Sequence, residues 1–195
     1  KQTILKLSIP RFLDQQVIRQ FTGLSSQDEG FLWLMKNPFL RNRIKNKSSE
    51  RMYDPLFRKK ILSFQREKSK FEYDNLHKLA ISYYEERLEQ VNDRIRDSPE
   101  KKAVYGGSYE RYICEFYYHQ ACLLNKEMIS AAVKESLNNF SDSSSATIES
   151  ENLSNSIVAA LCQASTDSGF DSLSRLTEGL LICLNAFEEK RFEDL

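Results

Sequence analysis

Only six glycines and four prolines occur in the 195 residues, and none of them lies between Pro55 and Pro99. That gap excludes a fold of short strands and tight corners over this stretch, because such corners draw on those two residue types. Long apolar runs are missing too. The longest, the six residues Ile157 to Cys162, falls far short of the ~18 residues a membrane-crossing helix needs, as does the block Phe31 to Met35. Net charge is absent, with 28 basic residues against 28 acidic ones. Histidine occurs twice, at His77 and His119, and CxxC not at all. No GxSxG, HExxH or glycine-rich phosphate loop is present, so no local pattern marks a hydrolase, a zinc peptidase or a nucleotide site. No catalytic residue and no cofactor is assigned.

Metal ligands are equally sparse. A structural zinc site needs four nitrogen or sulfur ligands. Cys114, His119 and Cys122 are close in sequence, but on a helix only His119 and Cys122 share a face, so no metal site is expected. All four cysteines (Cys114, Cys122, Cys162 and Cys183) sit in apolar helical patterns. They read as buried thiols of an intracellular, cytoplasmic protein, although their even number leaves disulfides open. The chain begins at Lys1 rather than Met, which reads as a piece of a longer protein or a processed product.

What is present is helical periodicity. Apolar residues make up 41% of the chain and charged residues 29%, the balance of an ordinary folded domain. Asp54-Pro55 opens the stretch free of glycine and proline, with a capping residue followed by a proline suited to a first helical turn. Ser98-Pro99 closes it, since a residue before proline avoids helical geometry. Within it, Tyr73, Leu76, Ala80, Tyr84, Leu88, Val91 and Ile95 form one helical stripe. The stretch is either one helix or two with a break at Lys68-Ser69-Lys70.

Upstream, Lys1 to Ser8 reads as an extended arm or the end of a helix. A helix follows Pro10 on Leu13, Val17, Phe21 and Leu24, with Gly23 placed as its C-terminal cap. Ser26 to Glu29 reads as a capping box for a helix ending at Asn37-Pro38. Its Phe31–Met35 block is apolar all round and is expected at the centre of the core. Pro38 to Ser49 reads as a short helix or turn and then an exposed basic loop. Its alternation suits a strand, but its Asn, Lys and Ser residues do not. Downstream, Gly106-Gly107 is expected in a turn, with Ser108 capping a helix that runs to about Leu137. Tyr83-Tyr84 recurs as Tyr117-Tyr118 at the tetratricopeptide period of about 34 residues. The small residue required in that repeat's second helix falls on Asn92 and Lys126, so two aromatic helices explain the echo better.

Charge is divided along the chain. Residues 1–70 carry 16 basic and 6 acidic residues, and residues 71–195 carry 12 and 22. This means either two complementary halves or a basic face for an acidic partner. The candidate partner-binding face is Arg41, Arg43, Lys45, Lys47, Arg58, Lys59, Lys60 and Arg66.

Two short resemblances lie near the C-terminus. Asp167-Ser168-Gly169-Phe170-Asp171-Ser172 resembles the DSGxxS phosphodegron read by the WD40-repeat F-box receptor of SCF-type ubiquitin ligases. It implies Ser168 and Ser172 as candidate phosphorylation sites. If ordered as a helix boundary, the motif becomes readable only after local opening. The stretch from Gly179 to Phe187 is similar to the closing helix of RUN domains, helical adaptors for small GTPases. No earlier block matches, and that fold is not carried over.

The expected architecture is all-α: a multi-helix bundle of about seven helices around a long central helix or helix pair, without significant sheet. Residues 1–140 form the main body, 141–150 a serine-rich linker or loop, and 151–195 a C-terminal helical pair packing on the body. The expected function is a non-catalytic helical protein–protein interaction module (scaffold, adaptor or regulatory domain) of a larger intracellular protein, with a partner that has an acidic surface. The alternative is a basic-face binder of nucleic acid or anionic phospholipid.

Overall fold

The structure, a computed structural model, describes residues 2–44, 47–123, 129, 134 and 148–168. Among these there are seven α-helices and one two-stranded sheet, so the all-α expectation holds. In chain order they are α1 (Gln2–Leu7), α2 (Gln15–Thr22), α3 (Glu29–Met35), β1 (Leu40–Ile44), β2 (Lys47–Tyr53), α4 (Pro55–Lys68), α5 (Lys70–Asp97), α6 (Lys102–Cys122) and α7 (Ile148–Ser168). A single 3-10 turn, Pro99–Lys101, precedes α6. The chain divides into two compact units, residues 1–83 and 84–195, with the division inside α5.

In the first unit, local signals account for most helix ends. The Asp14 carboxylate accepts from Val17 N to open α2, and Gly23, at φ 74°, closes it by donating to Arg19 O. Only glycine takes that left-handed geometry without cost. Asp54 opens α4 by accepting from Leu56 N and Phe57 N, with Pro55 in the first turn. The break is at Ser69, whose backbone is extended, so the stretch from Asp54 to Asp97 is two helices, not one. The Ser69 hydroxyl then accepts from Glu72 N and caps α5.

Three expectations fail in this unit. Residues 40–44 and 47–53 form an antiparallel pair of strands rather than a loop, with Leu40 opposite Tyr53 and Asn42 opposite Arg51. The alternation was the correct signal: Leu40 and Tyr53 are both buried, and Arg51 exchanges two backbone hydrogen bonds with Leu13. These tertiary contacts outweigh the weak strand propensity of Asn and Lys. The capping box also fails. α3 starts at Glu29, because the Asp28 carboxylate turns back to accept from Ser25 N. Finally, Phe31–Met35 is not a core centre: Leu34 is fully buried, but Leu32 and Trp33 are 51% and 55% exposed.

In the second unit, α6 buries the apolar positions 113, 114, 117, 118, 121 and 122, together with Glu115 and His119. It packs on Ile157, Ala160, Leu161 and Ala164 of α7, whose small residues allow close approach. Ile157 and Leu161 are fully buried, each worth about 1.5–3 kcal/mol of apolar transfer. Gly106 and Gly107 lie inside α6 instead of in a turn. Each costs about 1 kcal/mol relative to Ala, and the buried stripe downstream offsets it. The 28-residue α5 is a single helix where a tetratricopeptide unit has two, so no such repeat is present there. α7 begins at Ile148, inside the serine-rich segment, while residues 141–147 and the second member of the C-terminal pair lie outside the described residues.

Candidate interaction surface

Helix α4 has two chemically distinct faces. Arg58, Leu62 and Gln65, spaced four and three apart, are buried. Both polar members of this face hold the N-terminal segment: Arg58 Nη2 donates to Ile9 O at 2.7 Å, and Gln65 Nε2 donates to Leu5 O at 2.9 Å. Ser8 Oγ donates to Leu5 O and contacts Gln65 Oε1. The opposite face carries Leu56, Lys60, Phe64 and Lys68, each four residues after the last, with Lys59 beside them. All five are exposed, Leu56 by 74%.

The predicted basic residues are therefore dispersed. Lys59 and Lys60 stand together in solvent, Arg66 is half-buried, and Arg58 belongs to the interior. Arg41 is exposed and pairs with Asp54, the cap of α4. Arg43 lies on β1 and Lys47 opens β2, while Lys45 is outside the described residues.

Beside the exposed face of α4 is a cleft of about 350 Å³ formed with α1 and the start of α5. Phe64, Leu5 and Leu76 wall it, buried Tyr73 and Gln65 reach its lining, and exposed Lys6 and Lys68 stand at it with Glu72. The sequence signal for Lys68 was present in the basic run. Lys6 carried none, because its proximity is created by α1 docking on α4.

Large apolar side chains also meet solvent elsewhere in this unit. Leu32 and Trp33 do so on α3, and half-exposed Phe39 stacks on Phe57 with ring centroids 4.0 Å apart. Tyr53 closes this aromatic group at 5.8 Å, and burial pushes its phenol well above the ordinary range.

Both histidines are fully enclosed. His77 lies 4.4 Å from the Tyr73 ring, and its pKa is lowered to about 3, by burial first and then by the charge of Arg58. In the second unit His119 stacks on Tyr84 and lies 3.8 Å from Glu115. Cys114 and Cys122 are buried and Cys162 is half-buried, and Cys183 is outside the described residues. No group of three or more metal-binding side chains, and no helix long and apolar enough to cross a membrane, occurs among the described residues.

Ser168 is the last residue of α7 and is fully buried. Its neighbour Asp167 accepts from Tyr118 Oη at 2.8 Å and from Gln163 Nε2 at 3.0 Å. Ser172 lies outside the described residues. Comparison with protein-family models, curated proteins and solved structures found no match to this chain.

Proposed function

We propose that this chain is a non-catalytic helical module, a scaffold, adaptor or regulatory domain, that binds a protein partner with an acidic surface. The observation that carries this reading is Trp33, 55% exposed beside Leu32 on an ordered helix. Tryptophan is enriched among residues that anchor protein interfaces, and exposing it without a partner leaves a large apolar area in water. The exposed cations Lys59 and Lys60 supply charge for an acidic counterpart. The test is partner recovery from cells with the tagged chain, followed by binding of the purified partner. Leu32→Ala/Trp33→Ala weakens that binding at least tenfold with an unchanged melting temperature. Unchanged affinity sinks the reading.

The second reading is a basic-face binder of anionic lipid or nucleic acid, favoured by the adjacent exposed pair Lys59 and Lys60. It requires affinity that falls steeply with salt and is lost in Lys59→Glu/Lys60→Glu.

A further inference from the structure

The face of α4 and the cleft beside it form one continuous feature, and it has a chemistry. Leu56, Lys60, Phe64 and Lys68 recur every fourth residue, so they make a stripe of alternating apolar and cationic side chains about three turns long. The stripe ends at the cleft, because Phe64 and Lys68 are also part of its lining. At about 350 Å³ the cleft is at the small end of the range for ligand pockets, ~300–1,000 Å³. Its walls are Phe64, Leu5 and Leu76, and its exposed cations are Lys6 and Lys68 against the one acid Glu72. Exposed Gln2 and Asn75 add side-chain amides able to pair with a peptide backbone, whereas Gln65 is already committed to Leu5 and Ser8.

We infer that this cleft receives an apolar or aromatic side chain of an acidic peptide segment, whose carboxylates pair with Lys6 and Lys68 and whose chain continues along Phe64, Lys60 and Leu56. The inference rests on the interaction-module reading and names the recognition chemistry of its partner. Charge complementarity selects the occupant. The cations stand beside apolar walls, so a ligand satisfying both must carry carboxylates next to an apolar anchor. The surrounding sequence reinforces this, with 16 basic residues against 6 acidic ones in positions 1–70. A neutral apolar helix would leave both lysines desolvated and unpaired at the cleft, which is costly.

The experiment selects binders to the full chain from a phage-displayed library of random 12-residue peptides at low salt. The selected peptides are then synthesised for titration. Enriched sequences carry Asp or Glu flanking Phe, Trp or Leu. Lys6→Glu/Lys68→Glu weakens them at least tenfold, Phe64→Ala at least fivefold, and raising salt from 50 to 300 mM weakens them further. Lys6→Ala/Lys68→Ala, which removes charge without reversing it, gives a smaller loss in the same direction. Circular dichroism melts of each variant check folding, and all three positions are exposed. Enrichment of peptides without acids, no enrichment at all, or undiminished binding to Lys6→Glu/Lys68→Glu overturns the inference. So does capture of the chain by 4:1 phosphatidylcholine/phosphatidylserine vesicles that Lys6→Glu/Lys68→Glu abolishes, because the cleft's cations then serve a lipid surface. Peptides that ignore the lysine changes but are lost in Leu32→Ala/Trp33→Ala overturn the cleft while leaving the broader interaction reading intact.

Discussion

Arg58 and Ile9 are 49 positions apart in sequence, and the guanidinium Nη2 of the first donates to the carbonyl of the second at 2.7 Å. A charged group on a conspicuously basic helix is thus a fastener for the N-terminal segment. Its neighbours Lys59 and Lys60, of the same charge, face water. Position on the helix, not residue type, separates the two roles.

The first prediction follows from that separation. Arg58→Ala destabilises the first unit by about 2–4 kcal/mol, through the lost charge-assisted bond and the lost packing of the arginine stem. Lys59→Glu and Lys60→Glu stay within about 0.5 kcal/mol of the parent, as exposed substitutions do. Urea unfolding of the three variants provides the comparison, and equal losses would show that Arg58 is not structural.

His77 makes stability depend on acid. Its folded pKa of about 3 lies below the ordinary value near 6.5, so the unfolded chain binds the proton more readily. The stabilising effect of the neutral buried imidazole is complete above pH 6.5 and is lost as pH falls toward 3. Over that window the loss approaches about 1.4 kcal/mol per pH unit. Urea midpoints at pH 7, 6 and 5 should fall faster for the parent than for His77→Gln, which carries no titrating group there. Parallel slopes would rule out this assignment.

Glycines in α6 and after α2 should respond oppositely to the same change. A Cβ added at Gly106 or Gly107 meets nothing within 4 Å, so Gly106→Ala and Gly107→Ala each stabilise by about 0.5–1 kcal/mol. Gly23 is also sterically open, but its φ of 74° penalises any side chain, and Gly23→Ala destabilises by about 1 kcal/mol. Thermal melts followed at 222 nm distinguish the two directions. A destabilised Gly106→Ala would place that residue outside a helix.

The Tyr118–Asp167 bond ties α6 to the last turn of α7 in the second unit. Tyr118→Phe removes one buried hydroxyl and leaves the carboxylate one donor short, at a cost of about 1–3 kcal/mol. Hydrogen exchange at the amides of residues 165–168 should accelerate in that variant. Kinase labelling of Ser168 should rise in parallel, because its hydroxyl is reached only when this turn opens. Unaltered exchange would mean that the bond does not hold the turn closed.

How much of this was legible in the sequence depended on whether a signal was local. Gly23, Asp54 and Pro55 mark helix boundaries through bonds within four residues, and those boundaries were readable, whereas the start of α2 at Asp14 was not: the helix was expected from Pro10, but Leu13 bridges to Arg51 instead. The stripe from Tyr73 was readable because helical spacing repeats it along α5. The strand pair was obscured because Leu40, Tyr53 and the Leu13–Arg51 bridge stabilise it through distant contacts, while its own residues favour a loop. Trp33 was misplaced for a similar reason: an apolar block says what a helix can bury, not which neighbours arrive to bury it. The basic face was visible as a run of lysines and arginines. Its division between Arg58 inside and Lys59–Lys60 outside depended on where α1 docks, as did the pairing of Lys6 with Lys68.

Ser69 is the one extended residue between α4 and α5. A connector of a single residue fixes rotational phase, because each position added to or removed from a helix turns everything beyond it by about 100°. Inserting one residue there would swing Tyr73 and His77 away from the interior of the first unit, whereas Ser69→Asp or Ser69→Thr would keep both the cap and the phase. The joint therefore behaves as a gear tooth whose count is invariant, and its chemistry is free to vary only among residues that can cap.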